Sequence, residues 1–176
     1  ANGHLESHML PGGLYLPYEP NALGQATRAG SYAYDAEYSP SGAIERFTYG
    51  NGIVRSISHN ERDLPSRRRD ARGGVSIHDE AIGYDVRGNV TSIVDDVGSR
   101  RGTLSMTYDG LDRLTETVSP VFGTASYAYD VLDNIRALRV TGGPDVRNQS
   151  YGYDEKNRLS SITGAANGAS VASLSY

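Results

Sequence analysis

Tyr84-Asp85-Val86-Arg87-Gly88-Asn89-Val90 is the stretch that decides the fold, because the chain writes it again and again. YDVRGNV returns as YDGLDRL from Tyr108, YDVLDNI from Tyr129 and YDEKNRL from Tyr153. A period in this range is the signature of one supersecondary unit stacked on copies of itself. Function in such an architecture belongs first to a surface and only second to a pocket.

Within the unit the residue types dictate a hairpin. Two residues before the tyrosines stand Ile82, Met106, Tyr127 and Tyr151, an alternation at period two that makes the approach a β-strand with one apolar face. Four residues after the tyrosines come Gly88, Asp112, Asp133 and Asn157, all types that tolerate positive φ. Two further on, Val90, Leu114, Ile135 and Leu159 open a returning strand. A type I turn closed by one left-handed residue joins two such strands.

Worn copies extend the pattern upstream. Tyr38-Ser39-Pro40-Ser41-Gly42 keeps the frame, and His59-Asn60-Glu61-Arg62-Asp63 keeps the turn. Tyr18-Glu19 is read as leading to Gly24-Gln25-Ala26 with two extra residues, and Ala1-Asn2-Gly3-His4-Leu5 as a copy without its opening. From Tyr18 the spacings are 20, 21, 25, 24, 21, 24 and 23 residues, the last ending on Tyr176 after Leu174. The expected organisation is one continuous array, degenerate over 1–83 and regular over 84–176, that runs on past its C-terminus. A free-standing array needs polar caps; without them, the chain is expected to expose sheet edges and either self-associate or become ordered only with neighbouring repeats.

Composition agrees with a thin, half-wet sheet. Thirteen Tyr, two Phe and no Trp supply the aromatic area, and Gly reaches 21. A tyrosine buries its ring while its hydroxyl needs a partner. No Cys means no disulfide and no thiolate metal site. A net charge of −4 argues against nucleic acid, which calls for a basic stripe. No apolar run reaches the length of a membrane helix, and Arg-rich, Lys-poor usage suggests a bacterial coding bias.

Chemical constellations are scarce. Asp109 with Asp112 and Asp130 with Asp133 lack the oxygen count and alternation of a calcium loop, and turn hydrogen bonding accounts for them. Asp95-Asp96 reads as a solvated hairpin end, not an acid pair set about a substrate. His4, His8, His59 and His78 show no ligand spacing beyond a loose His4-x-x-x-His8, and no strained Ser elbow exists. Arg67-Arg68-Arg69 with Arg72 reads as a solvated inter-hairpin loop neutralised by Asp63, Asp70, Asp79 and Glu80. The sequons at Asn89 and Asn148 carry no meaning in a bacterial chain. No catalytic, cofactor or metal residue is expected.

The Tyr-Asp-x-x-Gly-Arg-Leu core, with its Ser/Thr-rich strand and Gly, resembles the YD repeat of the Rhs proteins. The C components of insecticidal Tc toxins and the teneurins share it. The resemblance is clean from Gly83 onward and departs at Asp112, Asp133 and Asn157 in place of Gly, and at Asn89 and Asn134 in place of Arg. It implies an all-β fold of consecutive antiparallel hairpins, curving into the wall of a hollow shell. The structural repeat positions it marks are Tyr84, Asp85, Gly88, Tyr108, Asp109, Asp112, Arg113, Tyr129, Asp130, Asp133, Tyr153, Asp154, Asn157 and Arg158. The implied role is containment and delivery of a C-terminal toxic domain by a secreted or cell-surface bacterial protein, without chemistry of its own. The implied partners are other repeats of the same polypeptide, the enclosed domain and a secretion-system spike or adaptor, with no nucleic acid and no membrane span. The segment that closes the shell in relatives, with its aspartic self-cleavage site, has no match in these residues. The competing expectation is a surface module whose tyrosine face binds glycans or a protein.

Overall fold

The computed structural model describes residues 3–98 and 102–170, in two compact units, Ala1–Ile82 and Gly83–Tyr176. Ala1, Asn2, Leu174 and Tyr176, which carried sequence expectations, lie outside the described residues. Every regular element that is described is a β-strand, and the pairing is antiparallel between chain neighbours, as the hairpin unit requires.

The first unit opens with a small hairpin, β1 (Ser7–Leu10) on β2 (Leu14–Pro17). Then β3 (Ala33–Tyr38), β4 (Ile44–Tyr49), β5 (Val54–His59), β6 (Pro65–Arg72) and β7 (Val75–Tyr84) pair in sequence order. The second unit carries β8 (Val90–Asp95), β9 (Leu104–Tyr108), β10 (Leu114–Ser119) and β11 (Gly123–Tyr129). It continues with β12 (Ile135–Gly142), β13 (Arg147–Tyr153), β14 (Leu159–Ala166) and the short β15 (Ala169–Ser170).

The same irregularity recurs beside the turns. Tyr129 pairs with Ile135 but Ala128 pairs with Ala137, so Arg136 is an extra residue in the returning strand. Ser160 is extra in the same way between the Tyr153↔Leu159 and Gly152↔Ser161 pairs. Glu45, Ser66 and Thr115 repeat the device in their own hairpins. Such bulges bend a strand and sharpen its twist.

Side chains sort cleanly in the second unit. Tyr127 faces Leu138 and Tyr151 faces Ile162 on one side; Ser126 faces Arg139 and Ser150 faces Thr163 on the other. Among the described residues, the apolar side chains that are buried outright are Ala125 and Val140, directly opposite each other on β11 and β12. With so little dry core, local hydrogen bonding and cross-strand pairing must carry much of the order.

One expectation is corrected in the first unit. The run Arg67-Arg68-Arg69 is not a loop: it lies within β6, paired on both sides. Alternation splits its charges between the two faces. Arg67 and Arg69 reach the buried Asp79 from one side, at 2.7 and 3.7 Å. On the other, Arg68 reaches the buried Glu80, and Arg55 grips Asp70 with two bonds of 2.7 and 2.6 Å. Arginine enters a strand here because a carboxylate stands at the matching place on the next one.

Candidate functional site: a ladder of turns

All four regular turns are built on one plan. Asp109 closes its turn by donating its backbone N–H to the Arg113 carbonyl at 2.9 Å, and Asp112 donates back to the Asp109 carbonyl at 3.1 Å. The Asp109 Oδ1 accepts the N–H groups of Leu111 and Arg113, and its Oδ2 accepts the Arg113 guanidinium at 2.8 Å. Asp85, Asp130 and Asp154 repeat both Oδ1 bonds. Asn89, Asn134 and Arg158 supply the donor to Oδ2. A carboxylate that accepts three N–H groups is the strong form of the Asx turn.

These bonds lower the carboxylate pKa values. Asp85 is held down first by the Asn89 side chain, Asp109 by the Arg113 side chain, and Asp154 by the Arg158 backbone and then its side chain. At Asp130 burial pushes upward, and the side chain and backbone of Asn134 bring the net value below normal.

Gly88, Asp112, Asp133 and Asn157 sit in the left-handed region, with φ of 96°, 62°, 65° and 62°. The three non-glycine residues do more than tolerate that backbone. The Asp112 Oδ1 accepts from Arg87 at 3.1 Å and Asn89 at 2.8 Å, both in the preceding turn. Asp133 accepts from Arg113 at 2.8 Å, and the Asn157 side chain accepts from Asn134. In the first unit Asp63 accepts from Ser41 at 3.2 Å. Departure from Gly therefore adds a rung that ties each turn to its neighbour.

The tyrosines carry a second tie that sequence reading missed. Tyr108 donates its hydroxyl to the Val90 carbonyl at 2.8 Å, Tyr129 to Leu114 at 2.9 Å and Tyr153 to Ile135 at 3.1 Å. Each acceptor is the first residue of a returning strand in the preceding hairpin. Arg113 lies over the Tyr129 ring at 4.9 Å, and Arg136 over Tyr153 at 5.8 Å. Partial burial raises the pKa of Tyr108 and Tyr129.

This geometry also corrects the frame of the worn copy. Asn21 accepts the N–H groups of Leu23 and Gln25 on Oδ1, Gly24 has φ of 80°, and Pro20 bridges Ala26. The turn therefore opens at Pro20-Asn21, not Tyr18-Glu19, and contains no insertion. Tyr38 donates to the Ala26 carbonyl at 2.6 Å, the same tie one hairpin on. Tyr34-Asp35, despite its letters, lies inside β3 and opens no turn.

The remaining candidates stay apart. His8 is in β1, His59 ends β5 and His78 is in β7, where its Nε2 stands 3.2 Å from Glu80. Asp95 ends β8 and accepts the Val97 N–H. Among the described residues no three His, Asp or Glu side chains converge on a metal position. None of the described residues forms a helix long and apolar enough to cross a membrane.

Residues 84–121 match the RHS Repeat family. None of the curated proteins matches the chain. Solved structures do. The crystal structure of TcdB2-TccC3-TEV superposes with a TM-score of 0.72 at 16% identity, over 93% of this chain and 12% of that one. TcdB2-TccC3 without its hypervariable C-terminal region gives 0.62 at 20% identity, over 95% and 9%. TcdB2-TccC3-Cdc42 gives 0.60 at 15% identity, over 89% and 10%. The chain thus spans about a tenth of the chains it matches, and it shares their antiparallel repeat fold.

Proposed function

We propose that this chain is wall material of an Rhs-type shell, and that the shell encapsulates and delivers a C-terminal toxic domain. The observation that carries the reading is the destination of the repeated side chains. Tyr108, Tyr129 and Tyr153 each spend the hydroxyl on the preceding hairpin, and Arg87 and Arg113 spend the guanidinium on the next turn. Residues committed to their own neighbours make a wall, and none is left poised over a substrate. The likeness to TcdB2-TccC3 chains supports the same role through the fold. In this reading the chain has no catalysis of its own and works by enclosure, within a secreted or surface-exposed protein loaded on a secretion spike or adaptor. The test is the source gene beyond Tyr176. Further repeats, a closing segment and a variable C-terminal domain are expected; a surface anchor directly after the repeats overturns the shell.

A second reading, glycan binding, is favoured by one feature. Phe122, Tyr127 and Leu138 line a shallow cavity of about 230 Å³ beside Asp145 and Arg147. An aromatic wall next to a charged rim suits a sugar ring. Oligosaccharide titration followed by Tyr127 chemical shifts decides it: saturable shifts favour the binding module, and unmoved shifts remove it.

A further inference from the structure

The tyrosine ties follow one rule. Each hydroxyl goes to the carbonyl six residues after the residue that opens the preceding turn: Tyr38 to Ala26, Tyr108 to Val90, Tyr129 to Leu114 and Tyr153 to Ile135. The same rule assigns a donor to the Ile44 carbonyl, and the residue in that place is His59. The turn that His59 opens keeps the regular plan. Asn60 donates its N–H to the Leu64 carbonyl, its Oδ1 accepts from the N–H groups of Arg62 and Leu64, and Asp63 has φ of 58°. Only the ring has changed. An imidazole is shorter than a phenol and carries no hydroxyl at its tip. The His59 Nδ1 is buried without a hydrogen-bond partner among the described residues, and a buried polar atom in that state calls for an explanation.

Register shows what a tie holds. Backbone pairing between one hairpin and the next stops at Ser92↔Ser105, Glu116↔Ser126 and Ala137↔Ser150, three residues short of Tyr108, Tyr129 and Tyr153. Beyond those pairs the tyrosine hydroxyl and the rung between turns join the hairpins. In the first unit the pairing of β4 with β5 stops in the equivalent place, at Arg46↔Ser56, three residues short of His59. The rung there is Ser41 donating to Asp63 at 3.2 Å, a neutral hydroxyl where other turns use a guanidinium or a carboxamide. We infer that His59 makes the turn end of the β4–β5 seam a built-in hinge, the place from which these two strands separate first. Local opening costs the free energy of the contacts that must break, and this end lacks the tie that closes the others. The hinge belongs to the sheet, so it holds whether or not the sheet encloses a domain.

Hydrogen exchange of the full chain, resolved to segments, tests this. His59→Tyr supplies the missing hydroxyl and is expected to slow exchange over 53–59 by roughly two- to tenfold, the equivalent of one hydrogen bond. His59→Phe adds a ring of similar size without the donor and is expected to leave 53–59 near its original rate. Tyr129→Phe opens the matching gap in the second unit without adding bulk, and exchange over 123–129 is expected to quicken by a similar factor. Unchanged exchange over 53–59 in His59→Tyr overturns the proposal, as does equal slowing in His59→Phe, which would assign the effect to ring packing. Unchanged exchange over 123–129 in Tyr129→Phe overturns it independently, even if the His59 variants fail to fold.

Discussion

The phenolic oxygen of Tyr129 lies 2.9 Å from the carbonyl oxygen of Leu114 and donates to it, although 15 residues separate the two along the chain. One bond thereby fastens the opening of one hairpin to the return strand of the hairpin before it. If this tie stabilises the sheet, Tyr129→Phe keeps the ring and its packing and loses only the donor. The expected cost is about 0.5–1.5 kcal/mol, read as a lower urea midpoint with an unchanged slope. An unchanged midpoint would show the bond to be energetically idle.

Asp109 distinguishes turn geometry from charge. Asp109→Asn retains an acceptor for the Leu111 and Arg113 N–H groups, whereas Asp109→Ala removes it. Thermal melting is expected to rank the unaltered chain above the Asn variant and the Asn variant above Ala. Equal melting of the Asn and Ala variants would place the contribution in the ion pair with Arg113 and not in the turn.

At Gly88, φ of 96° admits no β-branched side chain without strain. Gly88→Val is expected to destabilise by about 1–3 kcal/mol. Gly88→Asn is expected to cost less, since Asn157 holds the equivalent place. Denaturant curves for the two variants settle the ranking, and equal losses would mean that the backbone there relaxes freely.

Stability should fall away at both ends of the pH scale. Asp85, Asp109, Asp130 and Asp154 have folded pKa values below normal, so their contribution is present above the unfolded value near ~4 and is lost as pH falls through the lower folded values. Tyr108 and Tyr129 have raised values, so their contribution is intact below the unfolded value near ~10 and is lost as pH rises through the folded one. A phenolate cannot donate to Val90 or Leu114, which gives the alkaline limb its cause. The acid limb should move in Asp109→Asn and the alkaline limb in Tyr129→Phe. Limbs indifferent to both variants would trace them to other groups.

Burial separates the ion pairs of the first unit. Glu80 is 5% exposed and faces Arg68 and His78, whereas Glu37 pairs with Arg46 in open solvent. Glu37→Ala should cost within ~0–1 kcal/mol. Glu80→Ala should cost distinctly more, because the carboxylate it removes is buried and is the shared partner of Arg68 and His78. Comparable losses would mean that the burial of Glu80 adds nothing to the strength of its pairing.

The hairpins were legible because their signals are local. Period-two alternation before the tyrosine and a left-handed residue four places after it specify strand, turn and strand within a dozen residues. What stayed hidden is set by register across strands. The carbonyl that receives the Tyr129 hydroxyl is chosen by how β10 lies against β11, and no linear motif encodes that. The Pro20-Asn21 turn was masked by the aromatic of Tyr18 two residues earlier, since proline offers no ring hydroxyl to align on. Arg67-Arg68-Arg69 looked like a loop because arginine runs usually are; the carboxylates that admit it to a strand stand on β7, about a dozen residues later.

The tie from each tyrosine back to the previous hairpin gives the chain a grain. Each tie needs only the hairpin that precedes it in the chain, and none waits on a later one. The tie also makes length a matter of whole modules. Excising 108–128 would bring Tyr129 to the place of Tyr108, facing Val90, with every later partner undisturbed. Taking out one residue fewer would turn the side chains of that strand to the opposite face unless a bulge absorbed the extra residue. A gene built this way can lengthen or shorten by recombination between its own copies and still encode a continuous sheet.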